Sequence, residues 1–131
     1  MTIRLPRPSS LSPAQQATLH AHKKQVRDCL RRLDPQGAIE SQKVVLSLTS
    51  LRWGAYHLKT VAALYDLGSC HLKNHQPASA LAQYKAAFEI ASRQYPEMTA
   101  VLHEIRSQII ICEILSEYPR HGSIINITNA K

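Results

Sequence analysis

Cys29, Cys70, Cys112 and seven histidines are the side chains of this sequence that could ligate a metal or attack a substrate. A structural zinc site needs four convergent ligands, and the spacing works against convergence. His71 and His75 stand four residues apart with Cys70 beside them, yet His75 falls in the turn-like stretch "NHQP". Adjacent Cys70 and His71 point to different sides of a helix, and His20 and His22, two apart, share no face. The cysteines form no CxxC pair and each lies in a helical pattern, so they read as reduced, buried thiols of a cytoplasmic protein. No G-x-S-x-G, phosphate loop or H-E-x-x-H occurs. The expectation is a chain without metal, cofactor or enzymatic activity. Asn126-Ile127-Thr128 spells a glycosylation sequon, but "MTIRLPRPSS" lacks the apolar stretch of a secretory signal, so the sequon carries no weight.

The net charge of +7 is unevenly spread. Residues 1–33 hold seven basic side chains against Asp28 alone, whereas the remainder holds nine basic and eight acidic ones. On a helix, His20, Lys24, Arg27 and Arg31 form one stripe, and arginine suits bidentate contact with carboxylate or phosphate. Lys24, Arg27 and Arg31 are therefore the expected contacts for an acidic partner; the plainer reading is a solvated basic face. Nucleic acid is disfavoured as a partner. No aromatic platform interleaves these charges, and phosphate contacts alone give salt-sensitive, sequence-blind binding. Membrane insertion is not expected, because the longest apolar run, "IIICEIL" at 109–115, falls far short of ~20 residues.

These side chains need elements to hold them. With 44% hydrophobic residues, 5% aromatic residues and four glycines, the composition suits an aliphatic, alanine-rich helical core. Ser12 followed by Pro13 is a helix start. Leu19, Val26, Leu30 and Leu33 then recur at three, four or seven as candidate core, until "DPQG" (34–37) ends the element. A second helix is expected over Ala38–Arg52, with Ile39, Val45, Leu46, Leu48 and Leu51 inward and Trp53-Gly54 closing it. A third spans Ala55–Lys73. A fourth, with Pro77 in its first turn, runs to Gln94, and a fifth covers Glu97–Glu117 between Tyr95-Pro96 and Tyr118-Pro119. Such short links force sequential helices to lie antiparallel and adjacent. Residues 1–10 read as a basic flexible arm, 11–118 as one helical domain and 119–131 as a tail in which "IINIT" is β-prone.

Residues 63–91 carry the most information. Gly68 sits mid-helix, where glycine costs roughly 1 kcal/mol against alanine, so a second helix is expected close against it. Leu64-x2-Leu67-Gly68-x2-His71, then Ala80-x3-Tyr84 and Ala87, resembles the tetratricopeptide repeat, W-x2-L-G-x2-Y, A-x3-F, P. Leu64, His71 and Tyr84 stand where the family has tryptophan, tyrosine and phenylalanine. The closing proline is displaced to Pro96, which implies a repeat longer than the usual ~34 residues. A shift of 42 residues lays Gly54 on Pro96, Ala63 on Ile105, Leu67 on Ile109 and Cys70 on Cys112. The resemblance implies an all-α fold of antiparallel helical hairpins stacked as a short right-handed superhelix, two hairpins plus a closing fifth helix. It also implies that Gly68 presses on Ala80, that Leu64, Leu67, Tyr84 and Ala87 fill the wedge around them, and that Leu81 and Phe88 face the next helix.

Tetratricopeptide arrays bind partners on a concave face. The resemblance sends Leu58, Ala62, Tyr65, Ser69, Leu72 and Lys73 to that groove, joined by Ile111, with Tyr65, Leu72 and Ile111 as anchors. Glu104 leans toward it without an evident partner. Members of the family that grip a C-terminal carboxylate use lysine and asparagine where Tyr65 and Ser69 stand, so such a clamp is not expected. Ile109, Ile110, Ile111, Ile114 and Leu115 point around most of the closing helix, too wide for one packed stripe; arm, tail, partner or a second copy could cover them. The expected function is non-enzymatic binding of a protein or peptide segment, as adaptor or small chaperone. The alternatives are a nucleic-acid-associated accessory domain and a self-assembling structural subunit.

Overall fold

In the computed structural model, which describes residues 10–117, helix α1 spans Pro13–Arg31. Ser12 starts it with a capping box: its Oγ accepts from the Gln15 N–H at 3.1 Å, and Gln15 Oε1 accepts from the Ser12 N–H at 2.9 Å. A Schellman turn ends it. The Asp34 N–H reaches the Cys29 carbonyl at 2.8 Å, the Leu33 N–H reaches Leu30 at 3.2 Å, and Leu33 takes a left-handed φ of 59°. The periodicity puts Leu33 in the core; it is instead 88% exposed. A residue that reverses the chain belongs to neither helix's apolar face.

Helix α2 (Pro35–Trp53) begins at Pro35 rather than Ala38. Asp34 caps it by accepting from the Gly37 N–H at 3.1 Å, and proline at the first position gives up an amide that would have had no partner. "DPQG" therefore contains a helix start. Helix α3 (Leu58–Lys73) begins at Leu58, not Ala55, because Gly54–His57 form a turn. Gly54 has a φ of 98° there, its carbonyl accepts from Thr60 Oγ1 at 2.6 Å, and His57 Nδ1 accepts from the Lys59 N–H at 3.0 Å. Helix α3 ends as α1 does: the Gln76 N–H donates to His71 at 2.9 Å, the His75 N–H to Leu72 at 3.0 Å, and His75 has a φ of 58°. Pro77 then opens helix α4 (Pro77–Gln94) as Pro35 opens α2, 42 residues earlier. Helix α5 runs over Thr99–Glu117, later than the expected start at Glu97.

Each helix packs on its neighbour in sequence, α1 on α2 through α4 on α5. With links this short, neighbours run antiparallel. The described residues form an all-α fold with no strand; the expected arm, apart from Ser10, and the tail with its β-prone "IINIT" lie outside them. No helix among the described residues is long and apolar enough to cross a membrane.

Two core clusters result. The first joins Val26 and Cys29 of α1 to Ala38, Ile39 and Val45 of α2 and to Leu67 and Cys70 of α3. The second joins Val61 of α3 to Ala80, Tyr84, Ala87 and Ala91 of α4 and to Ile105 and Cys112 of α5. Leu81 and Phe88 pack against this second cluster, half-buried. The buried face of α2 runs through Ala38, Gln42, Val45 and Thr49, and Leu51, expected inward, lies off that face and is 43% exposed. Gln42 is satisfied inside by donating from Nε2 to the Ala63 carbonyl at 3.1 Å, which ties α2 to α3.

Gly68 is buried as the sequence requires, and the atoms nearest the place of its missing Cβ belong to Tyr84. A Cβ built on Gly68 would lie 2.9 Å from both Cε1 and Cζ of Tyr84. The glycine makes a seat for an aromatic ring. Ala80, Ala87 and Ala91, each fully buried, keep the face of α4 shallow around that ring.

Candidate functional site

Helix α3 forms the spine of the site. Ala62 and Asp66, four residues apart and so on one face, are exposed and line two neighbouring cavities. Between α3 and α5 lies a cavity of about 440 Å³. Leu58, Val61, Ala62 and Tyr65 form one wall of it, and Ala100, Val101 and Ile105 the other, with Glu104 at its edge. Between α1 and α3 lies a second cavity, of about 470 Å³, where Lys23 and Arg27 of α1 face Lys59, Ala62 and Asp66 of α3 above Trp53. The shared residues make these one groove, apolar toward α5 and basic toward α1.

Tyr65 and Glu104 pin the apolar half. The Tyr65 hydroxyl donates to Glu104 Oε2 at 2.6 Å, so Glu104 has a partner after all. Gln108 Nε2 donates to the same oxygen at 3.3 Å. Desolvation, reinforced by the Glu104 bond, raises the Tyr65 phenol well above its ordinary range, and the same bond holds the Glu104 carboxyl below the usual value. The Tyr65 ring meets Tyr84 edge-on with centroids 5.2 Å apart. Tyr84 in turn shares a 2.9 Å hydrogen bond with Ser69, whose hydroxyl also donates to the Tyr65 carbonyl at 3.2 Å. A buried ring, three hydroxyls and a carboxylate thus lock α3, α4 and α5 together.

The basic half is built on Trp53. The Arg52 guanidinium lies 4.3 Å and the Lys59 ammonium 5.3 Å from its ring centroid, within cation–π range. The His57 ring lies 4.9 Å away. These contacts hold Lys59 at the groove mouth. Asp66, exposed at the surface yet partly desolvated by the groove walls, has its carboxyl raised above the usual range.

Of the groove residues expected from sequence, Leu58, Ala62 and Tyr65 come together. Ser69 and Leu72 turn toward α4 instead, one bonded to Tyr84 and the other packed on the second core cluster. Lys73 is exposed at the end of α3, and Ile111 lies outside both cavities on α5, 43% exposed. Leu64, Leu67, Tyr84 and Ala87 are core residues, with Leu67 in the first cluster and the rest on or against the second. On α1, Arg27 lines the groove, Lys24 is exposed and Arg31 is engaged by Asp28 at 2.5 Å. Sequence reasoning passed over Lys23, Ala100 and the α5 wall. The 42-residue shift could have found part of them: it carries Tyr65 back to Lys23, Ser69 back to Arg27 and Leu58 forward to Ala100.

Cys29, Cys70, Cys112 and His71 are buried, whereas His20 and His75 are exposed. Among the described residues no three His, Cys, Asp or Glu side chains gather. His71 is buried with Nδ1 at 2.8 Å from Gln76 Oε1. The three cysteines are free and buried. Burial pushes the Cys70 thiol up to about 11 and raises that of Cys112, so both stay protonated at neutral pH. No family model, no curated protein and no solved structure matches this chain.

Proposed function

We propose that the chain is a non-enzymatic, tetratricopeptide-like binding module, an adaptor or small chaperone. Its concave face takes a protein segment that carries carboxylates at one end and apolar side chains at the other. The observation that supports this most is that Ala62 and Asp66 line both cavities, so that α1, α3 and α5 border one groove. The Tyr65–Glu104 and Tyr84–Ser69 bonds hold its walls before any ligand arrives, which reduces the ordering cost of association to that of the ligand. Apolar anchors would enter between Leu58, Val61 and Val101, at roughly 0.8 kcal/mol for each buried methylene. Lys23, Arg27 and Lys59 would draw the acidic end, with an attraction that falls as salt is added.

Selection from a random displayed-peptide library, followed by fluorescence anisotropy on the enriched sequences, tests the reading. Enrichment of segments with acidic and apolar ends is expected. Ala62→Arg should weaken their binding at least tenfold, about 1.4 kcal/mol, without lowering the melting temperature, since Ala62 is exposed. Absence of enrichment, or affinity indifferent to Ala62→Arg, overturns the proposal. Binding to random DNA that collapses with salt and is lost in Lys24→Glu/Arg31→Glu would assign the basic helix to nucleic acid instead.

A further inference from the structure

We infer that the exposed isoleucine stripe of α5 is the seat for α5 of a second copy of this chain, laid antiparallel about a two-fold axis near Ile110. Ile110 and Ile114 are 49% and 51% exposed, while Ile105 and Cys112 on the same helix are buried. The same face is covered twice elsewhere in the chain. In the 42-residue register Ile110 takes the place of Val26 in α1 and of Gly68 in α3, and Ile114 takes the place of Leu30 and Leu72. Val26 and Leu30 pack with Ala38, Ile39 and Val45 of α2. Gly68 lies under the Tyr84 ring of α4, and Leu72 packs on the cluster around that ring. Each covering helix runs antiparallel to the one it covers. No helix follows α5 among the described residues, and the end of a helical array needs either a polar outer face or a cover.

The charges name the occupant. His103, Arg106, Ile110, Glu113, Ile114 and Glu117 recur at helical spacing and share one stripe, and all of them are exposed. Its N-terminal half holds His103 and Arg106, its C-terminal half Glu113 and Glu117. That order opposes the helix dipole, which favours anions at the N-terminal end and cations at the C-terminal end, and α5 has no basic residue in its last turn. Glu113 and Glu117 join no ion pair among the described residues. The Arg106 guanidinium lies 5.3 Å from the Phe88 ring centroid, which steadies it at the α4 edge of the stripe without cancelling its charge. An antiparallel copy supplies what is missing. With Ile110 opposite Ile110, His103 comes opposite Glu117 of the other copy, and Arg106 comes beside its Glu113 and Ile114. A parallel pairing would set like against like. Val101, Glu104 and Ile105, which wall the groove on α5, point away from the stripe, so the groove of each copy stays open. One helix face is smaller than the ~800 Å² per partner of a standard interface. The dimer is therefore weak, with a dissociation constant of about 10–100 µM.

Sedimentation velocity on the full chain, from well below to well above that concentration, tests this. It uses no groove ligand, so its failure leaves the groove reading untouched. The sedimentation coefficient is expected to rise with concentration toward that of a dimer. Ile110→Asp should raise the dissociation constant about tenfold or more. Arg106→Glu and Glu113→Arg, each felt twice in a symmetric pair, should raise it about threefold. The double variant Arg106→Glu/Glu113→Arg should restore it, because exchanging the two charges preserves an antiparallel match. Far-UV circular dichroism checks that each variant keeps its helices; should Ile110→Asp not fold, Ile114→Asp carries the same test. A chain that stays monomeric at every concentration overturns the inference. So does a dimer indifferent to the isoleucine substitutions, or charge reversals that the double variant does not rescue.

Discussion

Val26 and Gln42 occupy in the first hairpin the positions that Gly68 and Tyr84 occupy in the second. Both pairs are buried, but they fill the crossing in opposite ways. In the first, a branched aliphatic on α1 faces a flexible amide that reaches on to the Ala63 carbonyl. In the second, α3 contributes nothing at the crossing and α4 supplies a whole ring, whose hydroxyl bonds back to Ser69. The turns nonetheless superpose in kind: Leu33 and His75 reverse the chain at φ near 59° and 58°, and Pro35 and Pro77 start the return helix. Turn and proline set the frame, and the crossing accepts any pair of side chains that fills the volume at native density.

The largest effect should come from emptying the second crossing. Tyr84→Ala is expected to cost about 3–5 kcal/mol in urea denaturation, whereas Gln42→Leu, which keeps volume but loses one hydrogen bond, should cost about 1–2 kcal/mol. Equal losses would break the comparison. Alkaline pH should separate the hairpins next. Desolvation is the main cause that raises the phenols of Tyr65 and Tyr84 above their ordinary 10. Stability from keeping them neutral is therefore complete below pH 10 and lost as pH rises through their folded values. Hydrogen exchange above pH 10 should loosen α3–α5 before α1–α2. On the acid side Glu104 works in reverse: its lowered value means its contribution fades as pH falls below 4.5.

Smaller effects sit in the turns. Asp34→Ala removes the bond to the Gly37 amide and should cost about 1 kcal/mol. Gln76, at the matching place, makes no side-chain cap bond, so helix fraying after Gln76→Ala should be confined to the His71 contact. The smallest change is a gain. Leu33→Gly relieves a left-handed leucine that is 88% exposed and should raise stability by up to about 0.5 kcal/mol, after the added freedom of the unfolded chain is subtracted. A loss on melting would show that Leu33 packs on something outside residues 10–117.

The helices were legible because prolines and caps are local signals: Ser12-Pro13 and Pro77 name their elements without knowledge of the rest. The boundaries that sequence missed share one cause. Sequence alone puts Pro35 in a connector and Ala55–His57 inside a helix, when a cap bond from Asp34 and the Gly54–Thr60 turn decide where winding begins. Gly68 announced a close neighbour but not its kind, because a missing Cβ is compatible with a backbone or a ring. It is the resemblance to the tetratricopeptide repeat, not the period, that points Leu58, Ala62 and Tyr65 toward one groove wall. The facing wall on α5 was not legible, since Ala100, Val101 and Ile105 lie some forty residues away and only tertiary packing brings them opposite.

Helix α3 lends Leu67 and Cys70 to one core and Val61 to the other. The chain consequently has no seam. A cut in the turn after Gly54 would leave each fragment with an unfinished interior, the first without its third wall and the second with a bare helix flank. Heating the intact protein should accordingly give one transition, with calorimetric and van't Hoff enthalpies in agreement.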